Sequence, residues 1–175
     1  MEQKVTTPLV KGLIITLLLI VFGLIIYFTG QIGNSTLGYL QYVILIGGII
    51  WSCTSYAKQK DGNVTFGNVF GHGFKTTAIV AVFMIIYTIL AIKVLFPDMT
   101  DQAMEIAKKK MQESSSKLSD EQIEQSLGMV RKFFIPFAIG GIVFGFALMG
   151  AIASLIGAAV AKKNLQTPFQ QQTQI

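Results

Sequence analysis

Four long apolar runs, at about 12–28, 37–56, 76–96 and 133–161, fill most of this chain, and neither aspartate nor glutamate interrupts any of them. A helix rises about 1.5 Å per residue, so each run is long enough, or nearly so, to cross a hydrocarbon layer of about 30 Å. The pattern predicts an all-α integral membrane protein: four transmembrane helices, with an amphipathic helical insert at 98–132 between the third and fourth. Composition supports this. Only 13% of the 175 residues are charged, where a soluble domain carries about 25%. The spans and their connections make one unit over 1–163, and a Gln-rich tail predicted to be flexible follows at 164–175. Lys4, Lys11 and the run after them resemble a secretory leader, but the run is long and lacks a small-x-small site before Gln31. It is therefore expected to be a retained span.

The charge distribution predicts orientation. Lys4, Lys11, Lys58, Lys60, Lys75, Lys162 and Lys163 share one side of a four-span chain, against only Glu2 and Asp61. The rule that basic residues stay inside places both termini in the cytoplasm. Lys93, Arg131 and Lys132 near span ends on the other side pull against it. The net charge of +5 is read as span-flanking lysines. No basic stripe interleaved with aromatics suggests a nucleic-acid partner. Tyr27, Tyr39 and Tyr42 are expected near the outer interface, Trp51 and Tyr56 near the inner one.

Three features stand out as interaction surfaces. In the second connection, Phe66, Phe70 and Phe74 recur every four residues, with Gly67 and Gly71 as a small stripe beside them. On a helix capped by Thr65, those glycines would admit another helix closely and the aromatics would pack or enter the interface. In the fourth run, Gly141, Gly145 and Gly157 lie on a four-residue register of small residues. That register predicts close packing within the bundle or against a second copy, with Gly47 and Gly48 as receiving positions. In the insert, Ser119 and Gln122 form a capping box, and Ile123, Leu127, Val130 and Phe134 make an apolar stripe leading into the fourth run, with Pro136 kinking the junction. That stripe is read as covered by the insert or the bundle, or as a partner surface.

Signs of chemistry are sparse. His72 is the sole histidine and Cys53 the sole cysteine. Neither has ligand partners nearby in sequence, so no catalytic, cofactor-binding or metal-binding residue is assigned. Lys93 is the one charge within an apparent span, and four residues before Pro97 it can reach the interface on its own stem. With no intramembrane carboxylate, proton coupling has no obvious seat.

A short first hairpin, a Lys/Gly turn, then Val64-Thr65-Phe66-Gly67 through Gly73-Phe74 entering the third run, and Leu118-Ser119-Asp120-Glu121-Gln122 in the insert, together resemble a bacterial membrane family, domain-of-unknown-function family 4199, over about residues 5–163. The resemblance implies an inner-membrane protein without an established activity. The expected function is a non-enzymatic accessory or scaffold subunit of an envelope complex, its partners the bilayer and a membrane protein or a second copy. The alternative is a small oligomeric transporter or channel.

Overall fold

The computed structural model describes residues 5–114 and 119–163; the tail at 164–175 lies outside the described residues. Six α-helices form in chain order: α1 Pro8–Phe28, α2 Ser35–Gln59, α3 Phe66–Leu90, α4 Met99–Ser114, α5 Asp120–Lys132 and α6 Phe134–Val160. A π-helical turn, Ala91–Leu95, prolongs α3. No strand forms among the described residues. Four helices are long and apolar enough to cross a membrane: α1, α2, α3 with its π turn, and α6.

Local chemistry sets most of the ends. Thr7, Asn34 and Thr65 cap α1, α2 and α3, each accepting a backbone N–H from the first turn through its side chain. Pro8 sits where its missing N–H costs nothing. Gly30 at φ +67° turns the first hairpin, and Asp61 and Gly62, at φ 51° and 77°, turn the second. These left-handed conformations suit Gly and, less readily, Asp.

Two span starts differ from expectation. α1 begins at Pro8 rather than near Gly12, so Lys11 lies inside the helix instead of ahead of it. α3 begins at Phe66 rather than near Thr76, so the Phe/Gly segment is its first turns. Hydropathy discounts a stretch with Gly, Asn, His and Lys, but the Thr65 cap and tertiary packing carry the helix through it. The helix α5 stops at Lys132, with Phe133 as its cap, and α6 starts afresh. Pro136 therefore falls in the first turn of α6, where proline is tolerated, and the break lies three residues before it.

The helices α2 and α3 touch each other and both touch α1 and α6, which lie on opposite sides of that pair. Contact pairs give the directions. Gly73 meets Ser154 while Thr77 meets Gly150, so α3 and α6 run antiparallel. Tyr42 meets Gly145 while Cys53 meets Gly157, so α2 and α6 run parallel. Ile15, Leu19, Leu45, Ile49, Val80 and Met84 fill the middle layer. The hairpin of α4 and α5 sits at the end where α1 and α3 finish. Tyr27 Oη donates to Asp98 there (2.9 Å), and the Tyr27 and Phe96 rings lie 4.2 Å apart.

Candidate functional site

Polar side chains gather at the opposite end, where α1 and α3 start and α2 and α6 stop. Thr6 and Gln59 tie the entry of α1 to the exit of α2 by two bonds, Thr6 N to Gln59 Oε1 (3.0 Å) and Gln59 Nε2 to Thr6 Oγ1 (2.9 Å). One turn into α1, Lys11 is only 1% exposed. Its Nζ donates to the Ser52 carbonyl at 3.2 Å. No carboxylate pairs with it, since the one ion pair among the described residues is Arg131–Asp101. An ammonium buried without a counter-ion is costly.

A hydroxyl chain continues inward. Thr76 Oγ1 donates to the His72 carbonyl (2.9 Å). Its one hydrogen is then used, so across the 3.1 Å contact with Ser52 it is Ser52 Oγ that donates. Cys53 Sγ points at the Val69 carbonyl, 3.6 Å away. The Tyr56 ring stacks on His72 with centroids 4.2 Å apart and planes 12° from parallel. His72 Nε2 and Ser154 Oγ are buried without a hydrogen-bond partner among the described residues.

Beside His72 a polar cleft of about 270 Å³ opens, lined by Tyr56, Asn68, Gly71, His72 and Lys75. Gly67 also borders it. A methyl group on Gly71 would meet no atom within 4 Å, so among the described residues no helix is seated on it. Phe66 and Phe74 are each 43% exposed. Phe70 packs against the core and stacks with Phe74 at 6.0 Å.

The tight helix contacts lie elsewhere. A methyl group on Gly73 would sit 2.5 Å from Cys53 Sγ and 2.7 Å from Ser154 Oγ. On Gly150 it would overlap Thr77, and on Gly157 it would lie 2.6 Å from Cys53 Cβ. Of the register singled out in α6, Gly157 is thus locked against α2, a methyl group on Gly145 would lie 3.1 Å from the Tyr42 hydroxyl, and one on Gly141 would meet nothing within 4 Å. Gly48 receives Ile15 of α1 rather than α6, and Gly47 is open.

In the insert, Ile123 is 3% exposed, while Leu127 and Val130 are half-buried. The helices α4 and α5 pack on each other, and Ile106 of α4 reaches Gly33 in the first loop. The stripe therefore faces inward, and α5 offers solvent its polar side. The capping box is present, Gln122 N to Ser119 Oγ (3.3 Å) and Ser119 N to Gln122 Oε1 (3.0 Å). Leu118, just before the box, lies outside the described residues. Lys93 is exposed on the π turn.

A second cleft of about 280 Å³ lies at the far end between α1, α2 and α3, with Asn34, Gln41, Tyr87 and Thr88 among its walls. The apolar middle layer separates it from the His72 cleft. Among the described residues no group of three or more His, Cys, Asp or Glu side chains is placed to hold a metal. Sequence reading missed Lys11, Ser52, Thr76 and Ser154 as one cluster. Lys11 and Thr76 fall at the limits of apolar runs and read as boundaries, while Ser52 and Ser154 lie inside the runs at 37–56 and 133–161, where a small hydroxyl carries little signal.

A family model described as a protein of unknown function (DUF4199) matches residues 11–163. No curated protein and no solved structure matches the chain.

Proposed function

The chain belongs to the DUF4199 family of proteins of unknown function, and from that premise we propose a bacterial inner-membrane protein of four spans, both termini cytoplasmic, acting as a non-enzymatic accessory or scaffold subunit. One observation carries the reading. On α6, Phe137, Phe144 and Leu148 are 64%, 79% and 61% exposed, and Gly141 lies between them on the same face with nothing over it. These four positions, spaced four, three and four, form a strip with a notch. In lipid, apolar side chains gain little by leaving one apolar neighbour for another. A notch lets a partner helix come close and gain dispersion contacts that fluid chains match poorly. The inner face of α6 is already satisfied through Gly150 and Gly157, and this strip offers a notch that the exposed Ile152, Ile156 and Val160 lack. The insert turns its own stripe inward, which leaves α6 as the better partner surface.

The test is photo-crosslinking in native membranes. A reactive residue at Phe144 is expected to capture a protein, a second copy included, while one at Leu17 on α1 captures lipid. Lipid alone at both positions contradicts the reading. The transporter alternative draws on the two clefts at opposite ends of α1, α2 and α3. It needs a second conformation, because Leu45, Ile49 and Val80 between them are 0% exposed.

A further inference from the structure

A large crevice separates the ends of α2 and α6. It measures about 920 Å³, and Thr54, Lys58, Asp61, Val160, Lys162 and Lys163 border it. Three ammonium groups face one carboxylate, so the site is net cationic. Lys58, Lys162 and Lys163 are all exposed. Lys163 is steadied by the Phe66 ring, whose centroid lies 5.1 Å from its Nζ, a cation–π contact.

Apolar strips lead away from these lysines. On α2, Trp51, Thr54 and Lys58 share one face by their spacing of three and four, and Trp51 is 46% exposed. On α6, Ile152, Ile156 and Val160 recur every four residues and are 42%, 43% and 58% exposed. A dissolved anion would use the ammonium groups alone. A molecule with a phosphate head and hydrocarbon chains would use both parts. The indole of Trp51 suits the boundary between them.

The geometry points to an anionic phospholipid, its phosphate held by Lys58, Lys162 and Lys163 and its chains laid along Trp51 and the Ile152–Ile156–Val160 strip. Basic crevices between spans on the cytoplasmic side bind such headgroups. The Asp61 carboxylate offsets one of the three charges and leaves two. The inference rests on the four-span reading and is independent of the partner role.

The test uses the full chain in phosphatidylcholine nanodiscs with spin-labelled phosphatidylglycerol or spin-labelled phosphatidylcholine as probe. Each lysine near an anionic headgroup contributes about fivefold, so a preference for phosphatidylglycerol of about tenfold or more is expected. The variant K58Q/K162Q/K163Q should bring the two lipids near parity. The variant K108Q/K109Q/K110Q, altered at the other end, should keep the preference. Equal association in the native chain, or equal loss in both triple variants, overturns the site. Displacement of phosphatidylglycerol by added inorganic phosphate would also overturn it, by making the crevice a free-phosphate site. A chain that inserts but shows no preference overturns this inference alone. A chain that does not insert overturns the four-span reading with it.

Discussion

Gly71 and Gly73 lie two residues apart on α3 and meet opposite surroundings. Gly73 is clamped between Cys53 and Ser154, while Gly71 borders an open cleft. Gly73→Ala must push α2 or α6 aside and is expected to cost about 1–3 kcal/mol, the usual penalty of overpacking. Gly71→Ala meets nothing and gains helix propensity, up to about 1 kcal/mol. Melting temperatures of the two variants in detergent should therefore move in opposite directions. A common direction would mean that the seam is not where these contacts put it. The stripe made Gly71 visible but not Gly73, which lies about 200° round the helix from it. A four-residue stripe reports which residues share a face; which face of α3 meets Ser154 depends on a helix that begins about sixty residues later. Lys11 was obscured for a related reason. A charge beside an apolar run normally marks its end, and only the Ser52 carbonyl across the helix pair makes it an interior residue.

At the scale of elements, caps and turns were the most legible features because they act within four residues. Thr65 and the Ser119–Gln122 box form the bonds that their spacing predicts. The box matters because α5 is a short helix, mostly polar on its outer side and held by one face against α4. Ser119→Ala leaves an orphan N–H at its start and is expected to cost about 1 kcal/mol. Hydrogen exchange should quicken in the first turns of α5 while α6 stays protected. Unchanged exchange in α5 would mean that packing on α4, not the cap, holds the helix. The span limits were legible where hydropathy falls sharply, as at Phe28, and obscured where it falls gradually, as from Thr76 back to Phe66. There α3 stays helical through Gly, His and Lys because its cap and the neighbouring α2 and α6 satisfy that end.

The whole molecule is uneven along its length. One end gathers Lys11, His72, the hydroxyl chain and the basic crevice; the middle is apolar; the other end carries the α4–α5 hairpin and a smaller cleft. The sequence located the hydrophobic layer, since four acid-free runs admit few other arrangements. It was silent on which helices touch, because loops as short as the first fix only neighbours in the chain. The proposals about partner, lipid and orientation share one claim: the chain crosses a bilayer four times with its lysine-rich end in the cytoplasm. Reporter fusions at Gly33, Gly62 and Lys110 test it most directly. A reporter that works only outside the cytoplasm should be active at Gly33 and Lys110, and one that works only inside should be active at Gly62. The same side for Gly33 and Gly62, or Gly62 on the outside, would contradict it.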